Sequence, residues 1–111
     1  MKATDYLKSN LEIPLSKIRR FCAKNHVSKL ALFGSILTNR FRKSSDVDIL
    51  VKFNTKHIPG LIGISRMEYE LEEIIGRRVD LRTPNDLSPY FRTEVLSEAY
   101  QLYGKERFSP A

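Results

Sequence analysis

From Pro14 to Asn25 the apolar residues recur at helical spacing: Leu15, Ile18, Phe21 and Cys22 stand at i, i+3, i+6 and i+7 and share one face. Pro14 suits the opening of a helix and Asn25 its end. A weaker pattern predicts a short helix over 4–10. The period then changes. Val27, Leu30, Leu32 and Phe33 predict a strand over 27–33, ended by Gly34-Ser35, and Ile36 to Asn39 reads as a short helical turn before a basic loop. Asp46 to Phe53 alternates, with Val47, Ile49 and Val51 on one face and Asp46, Asp48 and Leu50 on the other.

A second helix is predicted from about Pro59 to Ile75, with Leu61, Ile64, Met67, Leu71, Ile74 and Ile75 as its stripe and Gly76 at its exit. Glu68, Glu70, Glu72 and Glu73 read as its solvated face and edge rather than as metal ligands. Arg78 to Arg82 predicts a third strand, with Val79 and Leu81 on one face and Asp80 on the other. Ser88 and Pro89 then stand as N-cap and first helical residue. The last helix is expected to run to about Tyr103, burying Phe91, Val95, Leu96, Ala99, Leu102 and Tyr103, with Gly104 closing it and a frayed tail beyond. The mixed order of elements predicts an α+β (mixed α/β) fold, a short mixed sheet flanked by helices.

Composition narrows this picture. The 111 residues suit a single domain, 1–111, with its core over about 15–104. With 41% apolar residues, six Phe and five Tyr, the chain has enough apolar mass for a real core, which excludes disorder along its whole length. The one cysteine, Cys22, cannot form an internal disulfide and reads as a small buried hydrophobe. No stretch approaches ~18 consecutive apolar residues and no signal-peptide pattern opens the chain, so a cytoplasmic protein is expected. The net charge of +6 is compatible with nucleic acid, a polyphosphate ligand or an acidic protein, and does not choose among them.

One combination carries chemistry. Leu32-Phe33-Gly34-Ser35 ends the first strand; ten residues later Asp46-Val47-Asp48 opens the second, and Asp80 stands in the third. Alternation puts Asp46 and Asp48 on one face, roughly 7 Å apart along the chain. Two carboxylates so placed repel each other unless a cation joins them. Hard oxygen ligands suit Mg²⁺, which accepts phosphate oxygens as further ligands, and a pair of such ions can clamp an in-line displacement at phosphorus. Asp80 would complete a second site and help deprotonate an attacking hydroxyl. Gly34 lets backbone approach a ligand closely. A short turn after Ser35 would aim N–H groups at phosphates, with the Ser35 hydroxyl as a further donor.

The pattern Gly-Ser, ten residues, Asp-x-Asp resembles the signature of the DNA polymerase beta nucleotidyltransferase superfamily. Leu32-Phe33-Gly34-Ser35, Ser45-Asp46-Val47-Asp48-Ile49-Leu50-Val51 and Val79-Asp80-Leu81 look like the bacterial and archaeal minimal nucleotidyltransferases (MNT), and the resemblance spans about residues 15–104. It implies the nucleotidyltransferase fold, with helices on one side of a short mixed sheet, ATP as substrate and Mg²⁺ as cofactor. By this match Gly34 and Ser35 hold the triphosphate while Asp46, Asp48 and Asp80 are the catalytic, metal-binding carboxylates. Relatives often carry a basic residue soon after Gly-Ser and a glycine before the acidic loop. Here Ile36 and Asn39 stand there; Asn can adopt a left-handed turn, and Arg40 or Arg42 would supply the charge from a shifted position.

Many such domains resemble antitoxins paired with a HEPN-family ribonuclease toxin, in which the antitoxin adds AMP to a tyrosine of the toxin's active site. The resemblance therefore implies a protein adenylyltransferase acting as antitoxin in a hetero-oligomer, with neither nucleic acid nor membrane as partner. Two alternatives stay open at this point: an antitoxin that neutralises by contact alone, and a nucleotidyltransferase acting on RNA or a small molecule.

Overall fold

A computed structural model describes residues 11–109; the helix predicted over 4–10 lies outside the described residues. Helix α1 spans Leu15–Lys24, with Pro14 as N-cap and Asn25 as C-cap, and buries Ile18, Phe21 and Cys22. The polypeptide turns back at His26, the only non-glycine residue at positive φ (58°) among the described residues. Strand β1 follows at Val27–Phe33, then a 3-10 turn at Gly34–Leu37, and β2 at Val47–Phe53. Helix α2 (Leu61–Ile75) ends on left-handed Gly76 and leads to β3 (Val79–Arg82). After a 3-10 turn at Pro84–Asp86, α3 runs over Pro89–Glu98, with the Ser88 side chain accepting from the Tyr90 N–H.

The last element corrects the expectation. The helix stops at Glu98, and Tyr100–Tyr103 forms strand β4 instead of its final turn. Ala99 is extended (φ −57°, ψ 139°), which breaks the helix. Beyond it, Tyr100-Gln101-Leu102-Tyr103 alternates, and the free edge of β1 supplies the hydrogen bonds that a helix would have made internally. Leu102 and the tyrosines are apolar in either geometry, so burial alone could not separate the two readings.

The sheet order is β3-β2-β1-β4, with β1 antiparallel to both neighbours and β2 parallel to β3. One face carries Leu30, Leu32, Val47, Ile49, Val51, Leu81 and Leu102 and packs on Ile18, Phe21 and Cys22 of α1 and on Met67, Leu71 and Ile75 of α2. The other face carries Ala31 and Leu50, covered by Leu96, Ala99 and Phe108. Helices therefore lie on both faces, not on one as the resemblance implied. The reason is local: Leu50 follows Asp46 and Asp48 on their face, is fully buried, and needs the cover of α3.

The glutamates of α2 are not simply solvated. Glu72 Oε2 accepts from the Val79 N–H at 2.9 Å and Glu68 Oε2 from the Leu81 N–H at 2.8 Å. These carboxylates occupy the donors on the outer edge of β3, which would otherwise offer a template for strand addition. Glu70 pairs with Lys24 of α1.

Candidate active site

The sheet register assembles the acidic residues. Asp48 pairs with Phe33 across the β1–β2 ladder and with Asp80 across the β2–β3 ladder. Neighbouring strands lie about 4.8 Å apart, so Asp48 and Asp80 are lateral neighbours on one face. Asp46 stands just ahead of β2 and is exposed, while Asp48 and Asp80 are half-buried. The Asp48 carboxyl is pushed up to about 6, first by burial, then by the charges of Asp80 and Asp46; Arg82 opposes this weakly. Asp80 Oδ1 meets the Arg82 Nε–H at 3.0 Å, a partner that the sequence offers only as the i+2 residue on the same strand face.

Gly34 is built against this cluster. Its φ is +78°, and a Cβ added there would stand 2.4 Å from Asp48 Oδ2. Both conditions demand glycine. The turn Gly34–Leu37 that follows is tied by the Thr38 N–H and hydroxyl, which both donate to the Ser35 carbonyl at 2.9 and 2.8 Å. A cleft of about 580 Å³ opens here, lined by Phe33, Gly34, Ser35, Leu37, Thr38, Arg40, Phe91, Glu94, Val95 and Glu98. Its volume is within the range of small-molecule sites, and it takes in Gly34 and Ser35 but not Asp46, Asp48 or Asp80. A slightly larger cavity, about 640 Å³, lies around Lys29, Lys52, Phe53, Arg92 and Phe108 and touches none of the motif residues.

The two loop arginines part company. Arg40 lines the cleft. Arg42 turns its guanidinium onto its own loop, donating to the Asn39 carbonyl at 2.7 Å and the Phe41 carbonyl at 3.3 Å. Ile36 is fully buried in the core, so it belongs to the scaffold and not to the cleft. Asn39 does not use the left-handed conformation that its position suggested. A residue that sequence reasoning missed is Arg77. Its Nη2 donates to the Arg42 and Ser45 carbonyls at 2.7 and 2.6 Å, and its guanidinium lies 4.6 Å from the Phe41 ring centroid. It staples the loop that delivers Asp46. Nothing in the Arg77-Arg78 pair after Gly76 could have signalled this.

Among the described residues, no three His, Cys, Asp or Glu side chains converge closely enough to cage an ion by themselves. Mg²⁺ held by one or two carboxylates takes its remaining ligands from substrate phosphates and water. The donor set fits such binding: Asp48 and Asp80 present hard oxygen ligands as lateral neighbours, and their charge, with that of Asp46, helps to raise the Asp48 pKa.

A family model for the nucleotidyltransferase domain matches residues 15–101. The chain belongs to this family. The nucleotidyltransferase is 37% identical over 86 residues to a Methanocaldococcus jannaschii protein named "Putative protein adenylyltransferase MJ0435", covering 78% of this chain and 90% of that one. It is 38% identical over 72 residues to "Protein adenylyltransferase MntA" of Thermococcus cleftensis, covering 65% and 71%. A solved toxin–antitoxin structure with AMP-PNP shares the fold at TM-score 0.67 and 23% identity, over 83% of this chain and 74% of that one. So does a tri-AMPylated Shewanella oneidensis HEPN toxin in complex with its MNT antitoxin, at TM-score 0.60 and 24% identity over 82% and 70%. The chain is thus an enzyme of the nucleotidyltransferase class with the fold of MNT antitoxins.

Proposed function

We propose that this nucleotidyltransferase transfers AMP from ATP, with Mg²⁺, to a tyrosine of a HEPN-family toxin in the cytoplasm, and so acts as its antitoxin. The observation that carries this reading is the contact between the Gly34 turn and Asp48, flanked by Asp80 and Asp46: a phosphate cradle and a carboxylate cluster meet at one point. The AMPylated HEPN toxin and the adenylyltransferase relatives support the class of partner and the transferred group.

In the reaction, the tyrosine oxygen forms a bond to the α-phosphorus of ATP, and the bond from that phosphorus to the bridging oxygen breaks, releasing pyrophosphate. The Gly34 turn and Ser35 hold the β- and γ-phosphates, and Arg40 offsets their charge. Asp46 and Asp48 would hold Mg²⁺, which when bound would supply charge neutralisation at the phosphates. Asp80, beside Asp48, takes the phenolic proton. Arg42, turned onto its own loop, fixes that loop rather than the nucleotide.

Labelling from ATP marked at its α-phosphate tests the reading. The partner gains label with Mg²⁺, loses it with a chelator, and gains none with Asp46→Asn or Asp48→Asn. Normal labelling by either variant would sink the carboxylate assignment.

A further inference from the structure

We propose that the α3 wall of the cleft is the base subsite, with Phe91 as the stacking platform and Glu94 as the acceptor that selects an amine-bearing base; this rests on the nucleotidyl-transfer reading. The argument begins with the helix. Phe91, Glu94, Val95 and Glu98 stand at i, i+3, i+4 and i+7 and all line the cleft opposite Gly34 and Ser35. Of that stripe, Val95 is partly buried against the core, while Phe91, Glu94 and Glu98 are exposed. The buried residue of α3 is Leu96, on another side, and Arg92 is engaged with the Pro84 and Leu87 carbonyls. Phe91 stays 61% exposed in the wall of a concave site. An aromatic ring in the wall of a cleft offers a face on which a flat ligand can stack.

The cleft is also polarised. The pairing of Tyr100 with Leu32 puts the C-terminal end of α3 at the strand end that carries Phe33 and Gly34. Phe91 lies about seven residues back, and hence about 10 Å along the helix axis. This separation suits a nucleoside extending from phosphates at Gly34 toward a base at Phe91. Glu94 stands one turn from Phe91 on the same cleft wall, where a base stacked on that ring would meet its carboxylate. A carboxylate accepts hydrogen bonds and cannot donate. It favours bases that present an exocyclic amine, such as adenine, and opposes uracil, which presents a carbonyl there.

The test is calorimetric titration of the full-length chain with Mg²⁺–ATP, Mg²⁺–UTP and Mg²⁺–tripolyphosphate. Phe91→Ala should weaken ATP by about 5- to 100-fold, the range for loss of one base–aromatic stack, and leave tripolyphosphate unchanged. Phe91→Tyr should restore ATP binding, and Tyr90→Ala, one residue away and outside the cleft, should behave as wild type. Glu94→Gln, which can both donate and accept, should narrow the ratio of ATP to UTP affinity. Equal losses for ATP and tripolyphosphate, or no loss with Phe91→Ala, would overturn the base subsite while leaving nucleotidyl transfer intact. A wild-type chain that binds tripolyphosphate as tightly as ATP would overturn it too. A wild-type chain that binds neither would overturn the nucleotide reading itself, and the subsite with it.

Discussion

Asp48 holds a carboxyl whose pKa lies near 6 in the folded protein against an ordinary value of 3.8. The folded state therefore binds that proton more tightly than the unfolded chain. The associated stability is fully present below pH 4 and is lost as the pH rises through 6. At pH 7.5 without metal the charged carboxylate is a net cost, about 1 kcal/mol once its partial exposure to screening solvent is discounted. Asp48→Asn should thus raise the thermal midpoint of the metal-free protein by several degrees at pH 7.5 and leave it unchanged at pH 4. Mg²⁺–ATP should stabilise the wild type and not the variant. Differential scanning fluorimetry across pH reads both, and a lower midpoint for the variant at pH 7.5 would contradict the account. Gly34 admits no side chain, because of its φ of +78° and the 2.4 Å approach to Asp48. Gly34→Ala should destabilise the fold by about 1–3 kcal/mol. By displacing Asp48 it should also slow transfer about a hundredfold; stability and initial rate, measured together, check this.

At the scale of elements, much of the fold was legible because the period of apolar residues changes cleanly. Ile18, Phe21 and Cys22 share a helical face, and Val47, Ile49 and Val51 alternate, and both patterns stand in the structure. Tyr100–Tyr103 was not legible, because tyrosine and leucine serve a helix face and a strand equally; only the open edge of β1 decides. The glutamates of α2 were misread for a related reason: the donors they satisfy belong to β3, a separate element. Glu72→Ala removes a carboxylate from the Val79 N–H and should cost about 1–2 kcal/mol in urea unfolding; Glu68→Ala should act likewise at Leu81. Arg77→Ala frees the loop carbonyls of Arg42 and Ser45. It should lower the turnover number about tenfold with little change in KM for ATP, since it positions Asp46 and stands outside the cleft. A steady-state titration separates this from a general loss of folding.

For the whole molecule, the +6 charge left the partner class open, and the acidic cluster with its glycine turn narrowed it. The carboxylates that we propose as catalytic could be singled out in sequence because the proposed chemistry sets their types and spacing. Arg40 and Arg42 could not be told apart, because which of two loop cations faces the cleft depends on Asn39, Phe41 and Arg77 around them. The cleft wall from α3 was likewise hidden: of the face read as buried, Leu96 and Ala99 are buried and Val95 packs against them, but Phe91 stands 61% exposed in the cleft. No helix among the described residues is long and apolar enough to cross a membrane. The measurement that tests the central claim most directly is the intact mass of the proposed HEPN-family partner, purified with this chain and incubated with ATP and Mg²⁺. The account predicts a gain of one or more AMP units on the partner, absent with Asp48→Asn. An unmodified partner held in a stable complex by the wild-type chain would contradict it and leave neutralisation to contact alone.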